Sequence, residues 1–326
     1  MTTHIQGLDF EKPILELEKK VEELKGIASD RNLDLSGEVS QIEDKLAKLK
    51  KEVYDNMTPW QRVQIARHPK RPYMLDYVEM IMTDFVEIHG DRHYADDMAM
   101  ICGFAKVDKE PVMVIGHQKG RDTKENLERN FGCAHPEGYR KAMRVMSMAE
   151  KFGLPIVAFI DTPGAYPGIG AEERGQAEAI AYNLREMADL EVPIICFVIG
   201  EGGSGGALGI GIGDRVYVLE NSYYSVISPE GCAAILWKER SKAPDAAKAL
   251  KLTAKDLLEM KIIDGIIKEP LGGAHRGPQE TAGNIKAAMK KEIASFKGTP
   301  KEKLPELRYE KYRSIGAFKE SKENGG

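Results

Sequence analysis

The chain has 326 residues, of which 42% are hydrophobic and 30% charged, and its formal net charge is −4 at pH 7. This composition is typical of a soluble globular protein, and the length allows one large α/β domain with a smaller appendage. A nearly neutral charge gives no reason to expect a nucleic-acid partner. The first residues contain no signal-peptide core, and no apolar run approaches the about 18 residues that a membrane-spanning helix needs, so we expect a cytoplasmic protein without a membrane partner.

The four cysteines are too sparse for a disulfide framework. They lie at Cys102, Cys133, Cys196 and Cys232, and none forms a C-x-x-C pair. Free cysteine is among the most often buried residue types, so we interpret all four as reduced thiols in or near the core. Ligands at zinc-site spacing are missing from the sequence, and we expect no metal in this chain.

Residues 1–56 predict a helical arm in front of a larger domain, 57–326. Apolar residues recur at steps of three and four along 10–24 and again along 42–53. This period is typical of amphipathic helices, and the polar stretch between them predicts a turn. We expect two antiparallel helices. Because two helices alone bury an apolar stripe poorly, the arm is a candidate docking element for a partner.

The next segment predicts a linker, a helix and a hairpin. A linker is expected at Thr58-Pro59 and at 67–72, where two prolines disfavour regular structure. Residues 73–88 then show the apolar period of an amphipathic helix. Two apolar runs, 99–107 and 112–116, flank a short charged turn and predict a β-hairpin.

Beyond this hairpin, helical patterns alternate with strand-sized apolar runs. The predicted elements are, in chain order, a helix over 137–152 that ends at Gly153, a strand over 154–160, a loop over 161–170, a helix over 171–190, a strand over 192–199, a loop over 200–206, a strand over 216–219 and a helix over 230–237. Strand, glycine-rich loop and helix in repeated succession predict a parallel sheet with helices packed on it.

Two glycine-rich segments carry the strongest functional signal. The first glycine turn, D-T-P-G-A-Y-P-G, occupies residues 161–168, and the second, G-G-S-G-G-A, occupies residues 202–207. Each follows a predicted buried strand and precedes a helix, where free backbone N–H groups favour an anion and glycine lets a ligand approach closely. Consecutive parallel strands end at the same edge of a sheet, so the two turns predict two walls of one crevice.

Two nucleotide-binding patterns match parts of these turns. Residues 161–164 fit the D-x-x-G element of GTPases, but the sequence contains no P-loop. Glycines within 200–205 fit the G-x-G-x-x-G pattern of dinucleotide-binding proteins. However, they lie late in the chain rather than in a first βαβ unit, so both interpretations are poorly supported.

Ser204 also lies in a G-x-S-x-G pattern, which in α/β-hydrolases holds the nucleophile. A serine hydrolase would add an acid and a histidine downstream. His275 is the only histidine after Ser204, and Asp256 or Asp264 would supply the acid. The simpler role for Ser204 is that of a small residue in a backbone cradle.

At this point the sequence resembles a known family, the alpha subunits of the carboxyltransferase component of bacterial and plastid multi-subunit acetyl-CoA carboxylase. The resemblance covers nearly the whole chain, including the helical arm, and thins towards the C-terminus. The segments that carry it are Q-K-G-R-D-T-K at 118–124, R-N-F-G at 129–132, P-E-G-Y-R-K-A at 136–142, the two glycine turns, and S-V-I-S-P-E-G-C-A at 225–233.

The resemblance implies a fold and an activity. The fold is an α/β crotonase (ClpP)-like superhelix of repeated ββα units, which makes residues 57–326 a crotonase-like carboxyltransferase domain. The activity is transfer of the carboxyl group from carboxybiotin, held on the biotin carboxyl carrier protein, to acetyl-CoA. The product is malonyl-CoA, in the first committed step of fatty acid biosynthesis.

The resemblance also implies the site and the assembly. The implied catalytic donors are the backbone N–H groups of Gly164, Ala165, Gly205 and Gly206. Further residues implied on the biotin side are Tyr166, Gly203 and Ser204. The family pairs this chain with a beta subunit in an α2β2 heterotetramer, where beta carries zinc and most CoA contacts. Biotin carboxylase completes the whole complex.

Two basic stretches have open roles. Lys119, Arg121, Lys124 and Arg129 are interspersed with acidic residues, so a solvated or intersubunit face is the main interpretation and CoA phosphate binding the alternative. Residues 286–326 carry 11 Lys and Arg against 6 Glu. A solvated, partly frayed tail is expected there, with contact to an acidic partner as the alternative.

Overall fold

A mixed sheet of eight strands organises this computed structural model, which describes residues 7–31 and 33–316. The strands are β1 (Thr83–Glu87), β2 (Met100–Val107), β3 (Glu110–His117), β4 (Ile156–Thr162), β5 (Ile194–Gly203), β6 (Arg215–Leu219), β7 (Tyr223–Ser225) and β8 (Gly265–Ile267). Their order in the sheet is β1-β2-β3-β4-β5-β6-β8, with β7 paired to the end of β5. β1 to β3 are antiparallel neighbours, and all later pairs are parallel.

Helices cover the sheet and extend beyond it. They are α1 (Lys12–Arg31), α2 (Ser36–Asp55), α3 (Pro59–Ala66), α4 (Met74–Ile81), α5 (Thr123–Glu128), α6 (Pro136–Phe152), α7 (Ile169–Glu173), α8 (Gln176–Asp189), α9 (Ser204–Leu208), α10 (Pro229–Trp237), α11 (Ala243–Leu250), α12 (Ala254–Glu259), α13 (Pro278–Phe296) and α14 (Leu304–Arg313). Within the described ranges, none of these helices is long and apolar enough to cross a bilayer.

The two central strands are buried on both faces. Every residue of β4 and β5 is buried. Alternate side chains enter different cores: Ala158 packs in the cluster with α6, and Phe159 packs in the cluster with α4 and α13. Burial on both faces explains why these strands read as nearly continuous apolar runs, as predicted. The predicted hairpin is also confirmed, since β2 and β3 pair from Met100↔His117 to Val107↔Glu110.

The linker prediction at Thr58-Pro59 is wrong, because α3 begins there. Proline is tolerated at the first helical position, where its missing N–H would have had no partner. Thr58 caps the helix by accepting from the Gln61 N–H at 3.2 Å, and Gln61 Oε1 accepts from the Thr58 N–H at 2.8 Å. The same two residues thus form a capping box. The irregular segment 67–72 is confirmed.

Three other predicted boundaries are corrected. The helix predicted over 73–88 ends at Ile81, because the following residues pair with β2 as strand β1. The helix predicted over 171–190 is interrupted at Gly175, whose φ of 82° lies in the left-handed region. Strand β5 continues through Gly203, so the predicted loop over 200–206 is largely a strand end followed directly by α9.

The C-terminal basic region is also more ordered than predicted, as far as the structure describes it. It contains α13 and α14, and Arg308 of α14 is buried. The Arg308 guanidinium lies 2.9 Å from Asp214 Oδ2 and donates to the Val192 carbonyl at 3.0 Å. Residues 317–326, the last part of the predicted tail, lie outside the described residues.

The helical arm packs against itself and the main domain. Ile14 and Leu46 are buried in a cluster with Tyr54 and with Ile65 of the main domain, so the apolar stripe of the arm is covered partly by the domain rather than by the two helices alone. Tyr54 donates to Glu11 at 2.6 Å, and the Arg276 guanidinium lies 2.8 Å from Glu18. The arm is thereby attached to the domain, and the boundary after residue 56 remains a prediction.

Deletion of residues 1–56 is expected to lower the melting temperature and to weaken assembly with a partner subunit. The loss of the arm exposes Ile65, which is fully buried, and leaves Arg276 without its two acidic neighbours. Turnover of enzyme that does assemble should change little, because the arm has no residue in the predicted crevice. Sedimentation of the truncated chain with its partner tests this, and normal assembly would refute a docking role.

Candidate functional site

The two glycine turns meet at the carboxyl ends of β4 and β5. A Cβ built on Gly206 would lie 2.5 Å from the Gly164 carbonyl carbon and 2.6 Å from the Ala165 nitrogen. These distances are far below van der Waals contact, so only glycine allows the second turn to rest on the backbone of the first. The structure therefore brings together the residues predicted for the two walls of the crevice.

Three of the four predicted N–H donors remain available. The Gly164 N–H donates to Thr162 Oγ1 at 3.1 Å, and that hydroxyl donates to the Gly164 carbonyl at 2.7 Å. Among the described residues, no acceptor is found for the Ala165 N–H. Gly205 and Gly206 are the second and third residues of α9, positions whose N–H groups have no partner within a helix. The first turn therefore offers Ala165, while both glycines of the second turn remain candidates. Their binding of an oxyanion remains a prediction.

The other predicted site residues divide into exposed and packed positions. Ser204 is exposed, with a φ of 48° at the junction of β5 and α9. Tyr166 is half-buried and stacks on the His135 ring at a centroid distance of 4.0 Å. Gly203 is buried, and a Cβ there would lie 2.2 Å from the Pro163 carbonyl oxygen. Gly203 therefore packs the turns together, whereas Ser204 faces the space in front of them.

Open space adjoins both turns. A Cβ on Gly164 would meet no atom within 4 Å. Beside Ser204, a largely apolar cavity of about 290 Å³ opens in the protein surface. Residues that line it include Leu208, Tyr224, Leu257, Met260, Ile262 and Tyr312. Open space therefore borders the first turn at Gly164 and the second turn at Ser204.

A buried ion cluster lies directly beneath the turns, and the sequence did not predict it. The Lys119 ammonium lies 2.7 Å from Asp161 Oδ1 and 2.9 Å from Glu201 Oε1. Glu201 also accepts from Arg67 Nε at 2.7 Å and from the Tyr223 hydroxyl at 2.6 Å. The sequence does contain a signal for this cluster. Asp161 and Glu201 each lie near the end of a buried, largely apolar strand, where a charged side chain requires a partner.

The cluster holds Lys119 and Glu201 ionised. Burial raises the pKa of Glu201, but the charges of Lys119 and Arg67 outweigh it and bring that pKa to about 2. Burial lowers the pKa of Lys119, but Asp161 and Glu201 raise it well above its ordinary value. Neither Lys119 nor Glu201 is poised to exchange a proton near neutral pH.

The predicted basic stretch therefore does not form one surface. Lys119 is buried, whereas the Lys124 side chain is 85% exposed. Arg121 pairs with Asp76 and lies over the Tyr73 ring, 4.0 Å from its centroid. A solvated face therefore describes the exposed Arg121 and Lys124 but not Lys119.

The histidine and the acids that a serine hydrolase would need are not assembled around Ser204. His275 stacks on the His68 ring at 3.9 Å, in the joint with the helical arm. Asp256 accepts from the Thr253 hydroxyl at 2.6 Å as part of a helix cap. Asp264 pairs with Lys311 at 2.5 Å. Each proposed partner of Ser204 is thus engaged elsewhere.

Ser204→Ala is therefore expected to keep activity within about tenfold, whereas loss of a true nucleophile costs on the order of 10⁶. The reason is that Ser204 contributes a small side chain, and its backbone is unchanged by the substitution. Steady-state turnover of the assembled enzyme measures the effect. Covalent labelling of Ser204 by a fluorophosphonate would restore the hydrolase interpretation.

Glu11, His68 and His275 form the one group with metal-ligand chemistry found among the described residues, with ligand atoms within 4.8 Å of one another. The Lys70 N–H donates to His68 Nδ1 at 3.2 Å, so in the neutral ring the other nitrogen carries the proton. Arg276 lies 3.5 Å from Glu11 and adds a positive charge. We interpret the group as a structural joint, and the absence of a metal from this chain remains a prediction.

Solved structures with a similar fold are carboxyltransferases and a malonate decarboxylase. The transcarboxylase 12S structure, with methylmalonyl-coenzyme A bound, matches with a TM-score of 0.55 and 20% identity over 80% of this chain and 46% of that one. This chain thus spans about half the length of that protein. A Pseudomonas malonate decarboxylase hetero-tetramer in complex with coenzyme A matches with a TM-score of 0.53 and 15% identity, over 66% of this chain and 86% of that one. These similarities confirm the crotonase-like fold.

Closer relatives are found by sequence. The acetyl-coenzyme A carboxylase carboxyl transferase subunit alpha of Thermus thermophilus is 57% identical over 313 residues, 96% of this chain and 99% of that protein. The protein of the same name from Geobacter metallireducens is 59% identical, over 96% of this chain and 98% of its own length. A family model described as acetyl co-enzyme A carboxylase carboxyltransferase-like matches residues 7–316. The chain belongs to the acetyl-CoA carboxylase carboxyltransferase family.

Proposed function

We propose that this chain is the alpha half of an acetyl-CoA carboxylase carboxyltransferase and acts in the cytoplasm. It transfers the carboxyl group from carboxybiotin, held on the biotin carboxyl carrier protein, to acetyl-CoA. The product, malonyl-CoA, begins fatty acid biosynthesis. The observation that supports this function is the contact of Gly206 with the Gly164-Ala165 backbone, which brings the Ala165 N–H next to the N-terminus of α9.

These N–H groups suit the charge that the reaction develops. Carboxybiotin supplies the carboxyl group and leaves negative charge on its ureido oxygen. The N–H groups of Ala165, Gly205 and Gly206 bind that oxygen, and each preorganised donor of this kind is worth about 3–4 kcal/mol of barrier. Ser204 lines a largely apolar cavity that can hold an apolar part of the ligand beside the second turn.

No side chain of the two turns is needed as an acid or base, because the biotin nitrogen that loses the carboxyl group can take the methyl proton of acetyl-CoA. The carboxylates beneath the turns, Asp161 and Glu201, are paired with Lys119. The imidazole beside the first turn, His135, stacks on Tyr166 and is hydrogen-bonded with Asn130. A stand-alone hydratase or hydrolase of the same fold would place a free acid or base beside the turns, and an inactive scaffold would have no reason to leave three N–H groups free.

A partner subunit is proposed to complete the site. Helix α10 ends in three exposed apolar side chains, Ile235, Leu236 and Trp237, which are 70%, 64% and 44% exposed. Val226, just before this helix, is 78% exposed. Contiguous exposed apolar residues are typical of protein interfaces. We assign this surface to the beta subunit of an α2β2 heterotetramer, in which beta carries zinc, binds CoA and supplies donors for the thioester oxygen. Biotin carboxylase completes the full complex.

The reverse reaction tests the proposal with simple reagents. The chain is mixed with a matching beta subunit and malonyl-CoA, and free biotin is added as acceptor. We expect malonyl-CoA to be consumed only when biotin and both chains are present. Omission of biotin is the control. Consumption that ignores biotin, or none with all components present, would contradict the proposed function.

A further inference from the structure

The ion cluster joins the two glycine turns where they begin, through Asp161, the first residue of the first turn, and Glu201, which directly precedes the second. Asp161 lies three positions before Gly164, and Glu201 lies four positions before Gly205. Lys119, which follows β3, bonds to both carboxylates at 2.7 and 2.9 Å. The same Asp161 oxygen also accepts from the Glu201 N–H at 2.9 Å. One ammonium group thus ties together the strand ends from which both sets of N–H donors project.

The fold makes room for this cluster on two sides. A Cβ on Gly132 would lie 2.9 Å from Lys119 Cγ, and Gly132 has a φ of 80°, which favours glycine. A Cβ on Gly200 would lie 2.4 Å from Asp161 Oδ1. The side chains of Lys119, Asp161 and Glu201 are only 12%, 2% and 9% exposed. Close packing of this kind leaves the lysine little freedom to move.

The chemistry of Lys119 argues for an indirect role. Two of its three ammonium hydrogens are directed to Asp161 and Glu201, so it stays charged and donates no proton. Buried ion pairs contribute little net stability, because desolvation offsets attraction, but removal of one partner leaves an uncompensated buried charge. Without the lysine, the buried Asp161 would lose its cation, whereas Glu201 would keep Arg67. The two strand ends would lose the ammonium group that bridges them and would be free to separate.

We propose that Lys119 is a positioning residue, which sets the spacing between the N–H donors of the first and second glycine turns by bridging Asp161 and Glu201. The inference rests on the proposed carboxyl transfer, in which those donors act together. Donors that act on developing charge lower the barrier only in the transition state. Loss of their alignment should therefore reduce kcat and leave the KM for acetyl-CoA nearly unchanged.

Lys119→Met removes the charge and keeps most of the side-chain volume. In the assembled enzyme we expect kcat to fall by about 10²-fold, the effect of displacing one oxyanion donor. The KM for acetyl-CoA should stay within about threefold, as expected when only transition-state interactions are lost. Lys119→Arg keeps a cation that can reach both carboxylates and should restore kcat to within about tenfold of the wild type.

A matched control separates positioning from stability. Arg308 is also buried and ion-paired, with Asp214, but it lies against Val192, at the opposite end of β5 from the turns. Arg308→Met should lower the melting temperature and leave kcat per folded enzyme unchanged. If it lowers kcat as much as Lys119→Met does, or if Lys119→Met keeps the wild-type kcat, the positioning role is refuted.

The proposal remains testable even if the Lys119→Met variant does not fold. If Lys119→Met is insoluble, Glu201→Gln keeps the shape of the cluster and removes the ion pairs of Glu201 with Lys119 and Arg67, while the Lys119–Asp161 pair remains. We then expect kcat to fall by about tenfold at constant KM, since the two turns lose part of their connection. An unchanged kcat would refute the inference.

The wild-type complex distinguishes the two proposals. An inactive wild type refutes the proposed function, whereas an active wild type with unaffected variants refutes only the role of Lys119.

Discussion

Without its partner subunit, the purified chain is expected to transfer carboxyl groups at least about 10²–10³-fold more slowly than the complex. Two oxygens gain negative charge in the proposed reaction, the ureido oxygen of biotin and the thioester oxygen of acetyl-CoA. The turns of this chain offer N–H groups at one place, around Ala165 and Gly206. Loss of even one oxyanion donor costs about 10²–10³ in kcat, so the absence of the partner's donors should cost at least this much.

The measurement compares the isolated chain with the reconstituted complex under saturating malonyl-CoA and biotin. Circular dichroism of the isolated chain serves as the control, because a folded but inactive chain distinguishes a missing donor set from a missing fold. The exposed residues Ile235, Leu236 and Trp237 should become protected from solvent when the partner is added. Activity of the isolated chain within tenfold of the complex would show that one chain holds a whole site.

The glycine turns were predictable because their signals are local. A buried parallel strand reads as a continuous apolar run, and glycines directly after it mark a close backbone approach. Both β4 and β5 were located within a few residues for this reason. The end of β5 was misplaced, because its last residues pair with β7, a strand of three residues that has no distinct pattern of its own.

Elements that depend on distant partners were missed. Strand β1 follows α4 with only Met82 between them, so the apolar period of the helix continues into the strand and the sequence predicts one long helix. Only its pairing with β2 makes it a strand. Helix α3 is missed because proline usually disfavours a helix, whereas Pro59 occupies the first helical position, where proline is tolerated.

Lys119 shows the same limit at the site. Its sequence neighbours are charged and polar, so the sequence predicts a cation on the protein surface. Its actual partners lie 42 and 82 positions away along the chain. Likewise, no pattern in the sequence tells that the Thr162 hydroxyl takes the Gly164 N–H and leaves the Ala165 N–H free. Such choices follow from three-dimensional packing rather than from periodicity.

Gly206→Ala is expected to lower kcat by about 10²–10³-fold, since it should displace a donor from the developing charge. The added Cβ would lie 2.5 Å from the Gly164 carbonyl carbon and 2.9 Å from its oxygen. Both are backbone atoms and cannot rotate away, so the turns must separate. Gly206→Val would be harder to interpret, because Gly206 is buried and a branched side chain endangers the local fold as well.

Gly283→Ala provides the matched control for this substitution. Gly283 lies within α13, and a Cβ there would meet no atom within 4 Å. Alanine should stabilise that helix slightly and leave turnover unchanged. The informative result for Gly206→Ala is lost turnover together with normal assembly and a nearly normal KM for acetyl-CoA, because the partner is proposed to hold the CoA. If Gly206→Ala instead retains full turnover, the contact between the turns does not position an oxyanion donor, and Gly206 serves packing alone.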